Sequence, residues 1–245
     1  MRAILTYHSI DDSGSAISLS PERFGAHARW LAGGRVTVVT LDALARGEGG
    51  GSAVAITFDD AFVNFATHAA PLLAECGLPA TLFVPAGFVG RRNTWSGTGT
   101  GGIPELPLLD WDALARVAEQ GVTLGSHGRT HRSLAGLAGS ALADEVDGSA
   151  EELARHTGVR ALAFAYPYGS VDDAAAARVR SAYRVGCTTA LRALRGDEDA
   201  ARLPRLDAYY CRAPGRLESW GTAPFRRYLR LRAVARTLRR AYRVG

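Results

Sequence analysis

Short apolar runs alternate with stretches of helical spacing along almost the whole chain, and this alternation constrains the fold more than any single residue does. The runs are Ala3–Tyr7, Val36–Val39, Ala53–Phe58, Ala80–Val84, Val122–Gly125, Ala161–Tyr166, Val185–Thr189 and Leu206–Tyr209. They read as apolar on both faces, as strands must be when helices cover both sides of a parallel sheet. The helices between them carry their own start and stop signals. Ser20-Pro21 opens Phe24–Leu31, Asp110 opens Trp111–Glu119 before Gly121, and Glu145–His156 stops at Gly158. Pro71, inside Phe62–Cys76, is expected to kink or restart that helix. Seven or eight such units in 245 residues predict an α/β fold closed as a distorted (β/α) barrel of seven or eight parallel strands. Function then gathers at the C-terminal strand ends. The barrel is expected over residues 1–218, with 219–245 as an appended helix.

The run Ala53–Phe58 ends abruptly at Asp59-Asp60. Adjacent carboxylates at the end of a buried strand repel each other and resist desolvation, so they need a cation, a proton or several hydrogen bonds. The plainer reading is a turn that caps the next helix. His127 and His131 follow another strand, and four-residue spacing on a helical turn puts both imidazoles on one face. In a parallel barrel these strand ends meet. Two histidines and one carboxylate with open positions make a site of the kind that holds catalytic zinc. At a third strand end, Pro167 and Gly169 force a turn in Phe164–Gly169. Its backbone N–H groups can form an oxyanion hole, or the segment is a plain tight turn.

Thr57-Phe58-Asp59-Asp60, the spacing of His127 and His131 after Gly125-Ser126, and Phe164-Ala165-Tyr166-Pro167-Tyr168-Gly169 resemble successive motifs of the polysaccharide deacetylase family. This is also called the NodB-homology or chitin-deacetylase-like family. Leu78–Val84 resembles it too, so the likeness covers residues 53–189 and, through Tyr7-His8-Ser9-Ile10, reaches the N-terminus. The resemblance implies metal-dependent hydrolysis of an N-acetyl group on a glycan, glycolipid or sugar precursor. It implies Asp59 as the general base acting on the attacking water, and Asp60, His127 and His131 as ligands of a divalent ion, zinc first with cobalt or nickel as alternatives. The backbone N–H of Tyr168 matches the group that steadies the oxyanion. Tyr166, Pro167, Trp95, Arg205 and Asp207 are expected to contact the carbohydrate.

Two departures stand out. Ala165 occupies a position where many members carry an arginine that orients the catalytic aspartate, and no histidine follows His156, so the late general acid is missing. His8 and Asp207 are the candidates to supply the proton, and Arg205 is the candidate substitute for the missing arginine. These departures leave open a hydrolase of a non-sugar amide or imide, or a glycan-binding homologue with impaired catalysis.

The segment Pro85–Pro107, with Asn93-Thr94-Trp95 and the run Gly97–Gly102, is either a substrate rim or a flexible insertion. It lacks the Gly-Lys-Ser/Thr ending of a phosphate loop. The formal charge of +5 is confined to the tail. From Phe225 onward there are eight arginines and no acid, which leaves 21 basic against 24 acidic residues elsewhere. Phe225, Tyr228, Leu231, Val234, Leu238 and Tyr242 recur at helical spacing among these arginines. Such a helix packs on the barrel or makes peripheral contact with an anionic membrane; nucleic acid is the least expected partner. Cys76, Cys187 and Cys211 are odd in number and widely spaced, which predicts free thiols in a reducing compartment. Met1–His8 is too short and too quickly polar for a signal peptide, and no apolar run is long enough to span a bilayer. The expected location is cytoplasmic, near the inner membrane surface.

Overall fold

A computed structural model of the chain describes residues 1–95 and 102–244, with side chains up to Leu238. The elements before the insertion are β1 (Arg2–Tyr7), β2 (Ser9–Ile10), β3 (Ser18–Leu19), α1 (Pro21–Ala32), β4 (Thr37–Val38), α2 (Leu41–Ala45), β5 (Ala53–Phe58), α3 (Ala70–Glu75) and β6 (Ala80–Val84). After it come α4 (Trp111–Glu119), β7 (Thr123–Ser126), α5 (Gly139–Ala143), α6 (Ser149–Thr157), β8 (Ala163–Ala165), α7 (Asp173–Ala182), β9 (Val185–Cys187), β10 (Arg205–Asp207) and α8 (Ala223–Val244).

The main sheet runs β10-β1-β5-β6-β7-β8-β9 and its ladders are parallel. β4 pairs with the first half of β5 at Ala53 and Val54, and β6 with the second half from Ile56 to Phe58. β9 turns back toward β10 through Leu203, whose N–H donates to Gly186 O at 2.7 Å and whose carbonyl accepts from Thr188 N at 2.8 Å. The seven strands thus nearly close a barrel, as the alternation predicts. Strand alternation divides the core into two layers. Ile4, Ala53, Ala55, Phe83, Ala163, Ala165, Val185 and Cys187 form one cluster, while Leu5, Tyr7, Val54, Ile56, Phe58, Leu82 and Val84 pack in the other with the helices.

Local signals account for most boundaries. Ser20 Oγ accepts from Arg23 N at 3.2 Å with Pro21 at the first position of α1, and Asp110 Oδ1 accepts from Ala113 N at 2.8 Å at the start of α4. Pro71 restarts a helix: a π-helical turn, Phe65–Ala69, gives way to α3. The helix expected over Glu145–His156 differs. It begins earlier, at Gly139, passes through a π turn over Asp144–Gly148 and resumes as α6. The extra residue in that turn accompanies a buried Glu145. The last strand starts at Arg205 and stops at Asp207, because the Asp207 carboxylate accepts from Tyr209 N at 2.9 Å and turns the chain. The two-residue strands β2 and β3 are too short to show any sequence period.

His27 ties three of these parts together. From α1 it places Nδ1 at 3.1 Å from the Tyr7 hydroxyl and Nε2 at 3.2 Å from Cys211 O. A neutral ring satisfies both, accepting at Nδ1 and donating at Nε2. Burial pushes its pKa down to about 4. The unfolded chain therefore binds the extra proton between the ordinary histidine range and that value, so stability falls as pH drops through this window. From pH 7 to pH 5 the loss is expected to be about 2 kcal/mol. Denaturant titrations at the two pH values measure it, and His27→Gln should remove most of the difference.

Candidate active site

β5 carries Asp59 and Asp60 past its last paired residue, and the backbone then turns sharply. Asp60 and Ala61 both have positive φ, 73° and 57°. After β7, His127 is followed by Gly128 at φ 75° and then by His131 at φ 55°. After β8, Tyr168 adopts φ 59°. Among the described residues these four are the non-glycine positions in left-handed backbone; Asp60, His131 and Tyr168 line the same cavity, and Ala61 adjoins Asp60. Each such residue costs about 1–2 kcal/mol, and such strain clusters at functional sites.

Asp60, His127 and His131 are buried, and one potential ligand atom of each lies within 4.8 Å of the others. The Nε2 atoms of His127 and His131 stand 3.4 and 3.2 Å from Asp60 Oδ1. His127 Nδ1 sits 2.7 Å from Ala165 O. That N–H donates to the carbonyl, so Nε2 keeps its lone pair facing Asp60. Asp60 Oδ1 and His131 Nδ1 have no hydrogen-bond partner. A buried cluster of this composition, with polar atoms left over, fits a divalent cation bound by two imidazoles and a carboxylate.

Asp59 lies beside this cluster and is held from below. Arg205 rises through the barrel interior, fully buried, and its two terminal nitrogens donate to Asp59 Oδ1 and Oδ2 at 2.6 and 2.7 Å. Its Nε donates to Thr188 O at 3.0 Å and Nη1 to Thr6 Oγ1 at 3.0 Å. Burial works against charge on Asp59, but Arg205, His127 and His8 outweigh it and hold the carboxyl below its usual range. Burial works against Asp60 in the same way, and the adjoining imidazoles of His127 and His131 reverse it. It also pushes both imidazoles toward neutrality; Asp59 and Asp60 overcome this at His127 but not at His131.

The cavity above these groups has a volume of about 310 Å³ and brings together most of the residues singled out in the sequence. His8, Asp59, Asp60, His127, His131, Trp95, Tyr166, Tyr168, Arg205 and Asp207 all line it. His8 Nε2 is 3.7 Å from Asp59 Oδ2. Trp95 lies over His131 with ring centroids 4.1 Å apart, and Tyr168 meets the same ring edge-on at 5.0 Å. Tyr166 turns its hydroxyl away to Ala201 O at 2.8 Å, and Pro167 is buried without lining the cavity. The rim segment is anchored by Asn93, which accepts from Leu106 N at 2.6 Å and donates to Pro104 O at 3.0 Å. Most of its glycine run, residues 96–101, lies outside the described residues.

Glu145 is a site residue that sequence reasoning missed. Its buried carboxylate accepts from Arg129 N at 2.9 Å, Thr130 N at 3.0 Å and the Thr130 hydroxyl, clamping the loop between the two histidines. The only sequence signal was an acid at what read as an ordinary helix start.

A parallel barrel with a carboxylate–imidazole cluster at its C-terminal strand ends has the layout of a metallohydrolase. The model of the polysaccharide deacetylase family matches residues 46–185, and the chain belongs to that family. Its members hydrolyse N-acetyl groups on carbohydrates. The chain is 25% identical over 209 residues to YxkH of Bacillus subtilis (strain 168), a protein named for the same family; the match covers 83% of this chain and 70% of that one. Among solved structures, IcaB from Ammonifex degensii superposes with a TM-score of 0.71 at 25% identity, over 89% of this chain and 93% of that one. The Streptococcus pyogenes deacetylase PplD, solved with acetate, shares the fold with a TM-score of 0.72 at 20% identity, over 84% and 91%.

Removing one member of a buried ion pair strands the other in low dielectric. Arg205→Leu is expected to cost about 3–5 kcal/mol, read as a fall in Tm of roughly 10 °C. The double variant Asp59→Asn/Arg205→Leu should recover much of the loss. An unchanged Tm in the single variant would show that the pair does not hold the barrel interior.

Proposed function

We propose that the protein hydrolyses the acetamide of an N-acetylated sugar, on a glycan, a glycolipid or a sugar precursor. The observation that carries this reading is the bidentate Arg205–Asp59 pair set beside the Asp60, His127 and His131 cluster at the cavity floor. Arg205 offers from β10 the orienting guanidinium that Ala165 cannot, and His8 offers from the end of β1 the imidazole absent from the late sequence. Both weigh against an impaired binding homologue.

Asp60, His127 and His131 would hold the divalent ion, Zn²⁺ first and Co²⁺ or Ni²⁺ as alternatives. Such an ion, when bound, polarises a carbonyl and acidifies water from a pKa of about 15.7 to about 7. Asp59 takes the proton of the attacking water. Arg205 fixes both of its oxygens and keeps it ionised, which orients the base while lowering its basicity. The backbone N–H of Tyr168, set by the left-handed turn, steadies the developing oxyanion. His8 donates the proton that the departing amine needs; its 3.7 Å approach to Asp59 favours it over Asp207, which caps a turn. Trp95 and the half-exposed Tyr168 give the sugar apolar ring surface at the mouth. A cavity of about 310 Å³ suits one sugar ring at a time. The free thiols of Cys76, Cys187 and Cys211 support a cytoplasmic setting. Among the described residues no helix is long and apolar enough to cross a membrane.

Acetate release from N-acetylglucosamine oligomers, a UDP-linked N-acetyl sugar and an O-acetylated glycan tests the reading. Asp59→Asn is expected to lower kcat/KM by about 10²–10⁴-fold with the ion still bound, and His8→Gln to lower kcat by a similar order. His131→Ala should lose the stoichiometric metal seen by elemental analysis, and chelation should abolish release. Turnover that survives in Asp59→Asn would sink the assigned base. Metal-loaded protein that releases acetate from none of the three, while cleaving a simple formamide or cyclic imide, would move the substrate away from sugars.

A further inference from the structure

The helix α8 divides its apolar residues between two faces. Phe225 and Leu229 are buried against the barrel, the Tyr228 hydroxyl donates to Tyr210 O at 3.0 Å, and Arg216 lies 4.0 Å over the Tyr228 ring. The helix is therefore already seated by its inner side. On the outer side Leu231, Val234 and Leu238 are 61%, 60% and 56% exposed, the most exposed large hydrophobic residues among those described. Their spacing of three and four residues puts them on one stripe. Arg226, Arg227 and Arg230 are exposed nearby, and the sequence from Phe225 onward contains no acid.

We propose that α8 seats the protein on an anionic lipid surface, with Leu231, Val234 and Leu238 entering the headgroup boundary and the flanking arginines pairing with lipid phosphates. An anionic lipid surface offers both halves of what this face presents, an apolar layer and a sheet of negative charge. Nucleic acid would meet the arginines but leave the leucines in water. A second copy would bring two arginine-rich helices against each other. Arg236, on the side of α8 that faces the barrel, lines the catalytic cavity. The lipid surface would therefore lie about one helix diameter, ~10 Å, from the cavity rim, within reach of a sugar carried on a lipid headgroup.

Flotation of the full chain with vesicles of phosphatidylcholine alone, or mixed with phosphatidylglycerol, tests this independently of the deacetylase reading. Binding to the mixed vesicles is expected, at least about tenfold weaker on phosphatidylcholine alone, and fading as salt rises above about 0.15 M. The triple variant Leu231→Asn/Val234→Asn/Leu238→Asn should weaken it by about tenfold or more. Arg226→Gln/Arg227→Gln/Arg230→Gln should do the same, and it keeps the test intact if the first variant loses helix by circular dichroism. Acetate release from a soluble substrate should be unchanged in both. No flotation by the wild-type protein overturns the proposal, as does flotation that neither variant diminishes. Arginine-dependent binding to mixed-sequence DNA without vesicle binding overturns it, and so does a dimer in sedimentation that the asparagine variant abolishes.

Discussion

The buried pair between Arg205 and Asp59 is the interaction on which the rest of this molecule depends. A guanidinium inside a barrel is tolerable only when its donors are met, because an isolated charge in low dielectric costs many kcal/mol. Arg205 meets that condition with both Asp59 oxygens, Thr6 Oγ1 and the carbonyl of Thr188, and its guanidinium stands 5.6 Å from the Phe83 ring centre. The barrel lining follows from this. Ala53, Ala55, Ala163 and Ala165 are small where a typical barrel carries bulky residues, and the space they leave is what a rising arginine needs. Ala165, which reads in the sequence as a loss, is thus part of the same solution.

Around that pair the backbone holds positions that an unconstrained chain would avoid. The left-handed residues Asp60, Ala61, His131 and Tyr168 come from three different strand ends. Each is fixed by neighbours rather than by its own preference. The Glu145 clamp holds the loop before His131, and Gly169 follows Tyr168 because a Cβ there would stand 2.1 Å from Thr189 Oγ1. Packing elsewhere offsets this strain.

Sequence reasoning worked where the physics is local. The buried run ending in Asp59-Asp60, the histidines four residues apart and the capped helices α1 and α4 are all short-range patterns, and the structure gathers the first two into one cavity. It worked less well where a residue's partner is distant. Arg205 was a weaker candidate because nothing near it in sequence announces a carboxylate 146 positions away. Glu145 looked like helix surface, since a π turn has no distinctive composition. The strand expected over Ala161–Tyr166 pairs only over Ala163–Ala165. The apolar residues of α8 read as one stripe, yet Phe225 and Leu229 point in while Leu231, Val234 and Leu238 point out.

The position of β10 has a consequence for the order in which the molecule can be made. β1, the first strand, lies between β5 and β10, the last. A ribosome adding about 5–20 residues per second delivers Arg205 roughly 7–30 s after Asp59. Through that interval the nascent chain carries two adjacent carboxylates at the end of a strand that is buried throughout in the finished barrel, with one flank of β1 unpaired. The barrel cannot lock domain-first from its N-terminus. The buried Arg205–Asp59 pair and the final closure of the sheet arrive together, and a chain released before residue 205 has neither.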